Sequence, residues 1–142
     1  FSRTDVLVVN EIEAESLTGI SEPKLAAVGL LNLIKENGIV IVKLGAQGAL
    51  ALIEGEIIQI SAVPNCTPAD PTGCGDSFIG TLAAHFAANI KNNSTPYLKL
   101  REGMVDATVA ASLALEGFSI QAIEAAGLTE YARRAALVDS IV

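Results

Sequence analysis

The sequence has no tryptophan, two cysteines and one histidine, and each scarcity narrows the field. Cys66 and Cys74 are too few for a disulfide framework and read as reduced thiols of a cytoplasmic protein. Basic residues are sparse: nine Lys and Arg stand against sixteen Asp and Glu, a formal charge of −7. Nucleic-acid phosphates call for Lys/Arg clusters, and none occurs, so nucleic acid is set aside as a partner. No apolar run approaches the length of a bilayer span, which sets the membrane aside too. There is no secretory signal, although the chain starts at Phe1 rather than Met, so a missing N-terminus could have carried one. Internal repeats and low-complexity tracts are absent. His85 has no cysteine or second histidine at metal-ligand spacing and reads as an ordinary packed or surface residue.

What is present suits a single tightly packed domain: 142 residues, half of them hydrophobic. Asp5-Val6-Leu7-Val8-Val9 looks like a strand buried on both faces, followed by a short helix that Gly19 stops. A second helix opens at Ser21-Glu22-Pro23, carries the stripe Ala27, Leu30, Leu31 and Ile34, and is closed by Asn37-Gly38. Ile39-Val40-Ile41-Val42 is the next strand, completing a parallel crossover unit. Ala49–Ile53 and Glu56–Ile60 read as a hairpin about Glu54-Gly55. Beyond it come a helix ending near Asn89, a polar loop at 91–96, a long helix from about Leu98 to Glu116, and an amphipathic helix from Thr129 to Val142.

The chemistry concentrates in Asp70-Pro71-Thr72-Gly73-Cys74-Gly75-Asp76-Ser77-Phe78. Apolar residues at 78, 79, 82, 83 and 86 place a helix directly after the glycines. Two glycines around one small residue leave backbone N–H groups bare, and the first helical turn has no internal partners for its own. Such a place holds an anion, most often phosphate. Asp76 beside it is either a helix cap or a base that takes the proton of an attacking hydroxyl.

This nine-residue string resembles the second signature of the ribokinase-like (pfkB) carbohydrate kinases, D-T-T-G-A-G-D-x-F, departing from it at Pro71 and Cys74. Asn10-Glu11-Ile12-Glu13 is similar to the N-x-x-E motif of that family, and Lys43-Leu44-Gly45-Ala46-Gln47-Gly48 to its T-L-G-x-x-G segment, with Lys43 in place of Thr. By themselves these two stretches read as a helix cap on a solvated face and as a tight bend; the latter is neither a Walker loop nor a dinucleotide fingerprint.

The resemblance implies an α/β, ribokinase-like three-layer fold, a mostly parallel sheet flanked by helices with a β-hairpin at the edge. It covers residues 1–142 as the C-terminal, ATP-binding and catalytic portion of such a domain, with the N-terminal acceptor-binding half and its lid absent. The implied activity is phosphoryl transfer from ATP to a hydroxymethyl group of a sugar or related molecule. Asp76 is then the base and Gly73, Cys74 and Gly75 the anion hole. Asn10, Glu13, Lys43, Gly45 and Gly48 bear on ATP, Glu13 reaching Mg²⁺ through water. Asp70 and Thr72, with the backbone of Ser112, Leu115 and Gly117, form a site for a monovalent cation, K⁺ being the candidate. The full-length protein is expected to be a homodimer. The alternatives are a nucleoside or vitamin-precursor kinase of the same family, a non-catalytic nucleotide-binding module, or an inactive fragment.

Overall fold

Val6–Asn10 (β1) and Ile39–Lys43 (β2) are short apolar runs rich in valine and isoleucine, and they pair in parallel from Val6 beside Ile39 to Asn10 beside Lys43. The computed structural model describes residues 1–117, 121–138 and 140–141, the last two by backbone only. Between the two strands run Glu11–Thr18 (α1), ended by Gly19 in the left-handed conformation (φ 73°), and Pro23–Leu31 (α2). Glu22 caps α2, its carboxylate accepting from the amides of Lys24 and Leu25. Helix α2 stops at Leu31, short of the expected Asn37-Gly38. Ile34 is nevertheless buried, through the turn that follows, so the apolar spacing outlasts the helix.

Ala49–Ile53 (β3) runs antiparallel to β2, and Glu56–Ile60 (β4) follows it across Glu54-Gly55, both at positive φ as a two-residue hairpin turn requires. The strand order is β1-β2-β3-β4-β5, where β5 is Ser140–Ile141. β1 and β2 pair in parallel, β2 and β3 antiparallel, and the hairpin extends the sheet on the side away from β1.

Two compact units result: Phe1–Gln59 with Ser140–Val142, and Ile60–Asp139. In the first, Val9, Val40, Val42, Leu50 and Leu52 pack against Ala14, Ala26, Ala27 and Leu30 from the helices. The second is helical: Cys74–Ala88 (α3), Pro96–Glu116 (α4), Gln121–Ala125 (α5) and Leu128–Leu137 (α6). The last helix was expected to reach Val142. It ends at Leu137, ahead of a β-branched tail that supplies β5, and residue 142 lies outside the described residues.

Helices α3 and α4 meet at Gly103, where an added Cβ would lie 2.9 Å from Leu82 Cδ1 and 3.1 Å from His85 Cδ2. Near that contact His85 Nδ1 lies 2.7 Å from Asp106 Oδ2, and the Tyr131 hydroxyl of α6 donates to the other oxygen of Asp106. Burial, then the Asp106 carboxylate, raises the Tyr131 phenol well above its ordinary value. Asp106 of α4 thus ties three helices together, and His85 is a packed residue that joins α3 to it. Its Nε2 is buried without a partner among the described residues.

Candidate active site

Helix α3 begins without a side-chain cap. Gly73 is its N-cap residue at φ 87°, ψ −7°, a conformation that costs any residue with a Cβ and that glycine adopts freely. Cys74 and Gly75 form the start of the helix proper, with ordinary helical backbone at Gly75. The Cys74 amide turns back to the Pro71 carbonyl at 3.3 Å, and the Ser77 amide donates to the Gly73 carbonyl at 2.8 Å. The amides of Gly75 and Asp76 have no backbone acceptor among the described residues and form the bare positive end of the helix. Of the three amides expected to line the anion hole, that of Cys74 is therefore already engaged. The Asp76 amide, one residue further on, is open.

Asp76 stands in the first turn of α3 and is exposed. Its carboxylate has neither a hydrogen bond nor an ion pair among the described residues, so it does not cap the helix. A carboxylate left free beside two open amides can accept a proton from a hydroxyl brought to the same spot.

The loop before α3 is held to the C-terminal end of α4. The amides of Ala69 and Asp70 both donate to the Leu115 carbonyl, at 2.8 and 3.2 Å, and the Thr67 amide donates to Glu116 Oε1 at 2.8 Å. Asp70 folds over its own turn, accepting from the Thr72 amide at 2.8 Å; that bond and one from the Thr72 hydroxyl hold its carboxyl below the usual range. Asp70 and Leu115, both expected at a cation site, are thus brought together. Both lone pairs of the Leu115 carbonyl are engaged, however, and the Ser112 hydroxyl donates to the Val109 carbonyl at 2.6 Å. Gly117 ends α4, and residues 118–120 of the expected cation loop lie outside the described residues. No group of three or more His, Cys, Asp or Glu able to hold a metal occurs among the described residues.

Sequence reasoning missed Arg134. Its side chain is buried on α6, and the guanidinium ties Glu116 through Nη2, Glu130 Oε1 through Nε at 2.6 Å, and Ser112 Oγ through Nη1 at 3.0 Å. Arg133 adds a two-pronged bond to Glu130, 2.8 Å on each side. These two arginines pull the Glu130 carboxyl down to about 2. Glu116 is lowered chiefly by the Thr67 amide and then by Arg134. The Cys66 thiol, facing Arg134, is raised by burial and by the Glu116 carboxylate, so it stays protonated at neutral pH.

For acids lowered on folding, the stabilisation is complete above the ordinary glutamate value of 4.5 and fades as pH falls toward about 2. Urea midpoints of the full-length protein are therefore expected to drop across that window, and to drop less steeply in Glu130→Gln. An identical acid limb in that variant would show that Glu130 carries no part of it.

In the other unit, Asn10 and Glu13 form a reciprocal capping box on α1. Asn10 Oδ1 accepts from the Glu13 amide and Glu13 Oε2 from the Asn10 amide, each at 2.8 Å. Asn10 lies in register with Lys43 on β2, at the carboxyl edge of the parallel pair. Beyond Lys43, Gly45 (φ 55°) opens a single 3₁₀ turn that Gly48 (φ 99°) closes, its amide donating to the Gly45 carbonyl at 3.1 Å. The unit thus gathers Asn10, Lys43 and the Gly45–Gly48 turn at one edge. Asn10→Ala is expected to cost about 1 kcal/mol in unfolding free energy, and Asn10→Asp only a few tenths. Equal losses in both variants would show that the cap contributes nothing.

Among the described residues no helix is long and apolar enough to cross a membrane. Comparison with known proteins bears on the site's parentage. The sequence matches the pfkB family carbohydrate kinases over residues 1–125. It is 30 % identical over 125 residues to ribokinase of Mus musculus, covering 85 % of this chain and 37 % of that protein. Arabidopsis thaliana ribokinase, solved with ribose and ATP, superposes with a TM-score of 0.70 at 29 % identity, over 92 % of this chain and 40 % of that one. Aminoimidazole riboside kinase from Salmonella enterica, solved with its riboside and an ATP analogue, gives a TM-score of 0.74 at 23 % identity, over 92 % of this chain and 42 % of that one, and supports the fold alone. The chain spans less than half the length of these relatives. With the family match running through both units from Phe1 into α5, the chain belongs to the pfkB family of carbohydrate kinases.

Proposed function

We propose that the full-length protein transfers the γ-phosphoryl group of ATP to a hydroxymethyl group of a sugar or a related small alcohol, nucleosides included. The carrying observation is the exposed Asp76 carboxylate, unpartnered among the described residues, beside the open amides of Gly75 and Asp76. The mouse relative is named ribokinase and the Arabidopsis ribokinase is solved with ribose and ATP, which favours an acceptor of that kind.

In this reading Asp76 takes the acceptor's hydroxyl proton as the oxygen forms a bond to the γ-phosphorus. The bond from that phosphorus to the bridging oxygen breaks, and its electron pair leaves with ADP. The Gly75 and Asp76 amides hold the charge that builds on the γ-phosphoryl oxygens. Gly73, in its left-handed conformation, turns the chain into the helix start that carries those amides.

Mg²⁺ supplies charge neutralisation on the phosphates when bound. Glu13 fits a contact to it through water: it is exposed, and one carboxylate oxygen is left over from the capping box. Asn10, Lys43, Gly45 and Gly48 are assigned to nucleotide phosphates on the motif resemblance. Asp70, Thr72, Ser112, Leu115 and Gly117 are assigned to K⁺ on the resemblance, although the Leu115 carbonyl already accepts two amides that hold the loop. A homodimer and a cytoplasmic location belong to the same reading.

The test is a screen of the full-length protein against sugars and nucleosides with ATP and Mg²⁺, read by coupled ADP release. Acceptor-dependent ADP release is the expected result. ATP binding with no turnover on any acceptor would favour the nucleotide-binding module instead.

A further inference from the structure

We infer that Arg134 is a positioning residue for phosphoryl transfer, acting through Glu116 and the loop Thr67–Asp70 on the turn that opens α3; the inference rests on the reading above. The loop between β4 and α3 has no regular structure from Ser61 to Gly73. Thr67, Ala69 and Asp70 give it three amide anchors, and these end on Leu115 and Glu116, the last two residues of α4. From Asp70 the constraint passes to the helix start by two local bonds, Thr72 amide to Asp70 Oδ1 and Cys74 amide to the Pro71 carbonyl. The orientation of the Gly75 and Asp76 amides therefore depends on where the end of α4 holds the loop.

Glu116 can serve as an anchor only while its own carboxylate is fixed, and Arg134 fixes it. Arg134 is buried, with 7 % of the residue exposed, and its guanidinium donors reach Glu116, Glu130 and Ser112, with Nη1 also 4.0 Å from Cys66 Sγ. A planar fork suits this job, since it sets direction as well as charge. Without it, Glu116 would lose its cation, while Glu130 would keep only Arg133. Glu116 would then turn to water, and the Thr67 amide would lose its acceptor. The first turn of α3 would lose its fixed aim while the packed helices behind it remained.

The experiment uses the full-length protein with Arg134→Met, Arg134→Lys, and Val109→Ala as a core variant that weakens α4 away from the loop. Steady-state kinetics with the acceptor found in the screen are read beside amide hydrogen exchange. Arg134→Met is expected to lower kcat about tenfold or more with KM for the acceptor within about twofold. Exchange should quicken over residues 66–75 and stay slow in the interior of α3 and α4. Arg134→Lys should recover part of kcat, and Val109→Ala should keep kcat near wild type.

An Arg134→Met enzyme with kcat within about twofold of wild type overturns the inference. So does a loss of kcat matched by Val109→Ala at equal stability. If Arg134→Met does not fold, Glu116→Ala decides: reduced kcat with KM intact supports the brace, and unchanged kcat removes it. If the wild-type protein releases no ADP with any acceptor, the kinase reading falls and takes the catalytic half of this inference with it. Exchange over residues 66–75 then judges the brace alone.

Discussion

Asp76→Asn in the full-length protein is expected to lower kcat on the order of 10²–10⁴-fold, equivalent to about 2.7–5.5 kcal/mol of transition-state stabilisation. The change is nearly isosteric, and the native carboxylate makes no bond among the described residues, so no hydrogen bond or ion pair is lost with it. What disappears is the capacity to accept a proton. A second consequence runs the other way. Removing a negative charge from the first turn of α3 relieves repulsion toward bound phosphates, so ATP affinity should hold or rise. Turnover by ADP release, with ATP binding by calorimetry, checks both signs together. Near-normal turnover would rule out the base.

Gly75→Val is expected to abolish measurable transfer, a loss of about 10²-fold or more. Gly75 has ordinary helical backbone, so valine there forces no forbidden conformation and gives up no helix propensity relative to glycine. The branched side chain would instead stand beside the open amides and exclude the phosphoryl group. Gly73→Val makes a useful contrast. At φ 87° it would strain the backbone by about 1–2 kcal/mol, and should show a loss of thermal stability that Gly75→Val does not. An active Gly75→Val enzyme would mean that phosphate binds elsewhere.

These expectations follow from a stretch that is legible in sequence because two local signals coincide there. Glycine on either side of Cys74 precedes apolar residues at helical spacing, and the structure begins α3 at Cys74. Asn10 and Glu13 are legible in the same way, since Asn followed three residues later by Glu is how a capping box is spelled. The end of α2 was not, because Ile34 keeps the helical spacing while being buried from a turn. The tail was misread because amphipathic spacing over 128–137 hides the switch to a β-branched strand. Arg134 was illegible for a different reason. Glu130 and Arg134 sit four apart and resemble a solvated helical pair, whereas Glu116, which makes the site matter, is eighteen residues upstream. Nothing local marks that partnership. The Asp106 ties to His85 and Tyr131 are long-range for the same reason.

The notch at Gly103 has a mechanical consequence. Because Leu82 and His85 fill the space a side chain would take, α3 cannot slip along α4 by a residue without driving those groups into the neighbouring backbone. His85 is eleven residues from Cys74, so the wedge grips the rod about 16 Å behind its tip. Axial play at the glycine-bearing end is removed from the rear, which leaves tilt as the motion open to that tip.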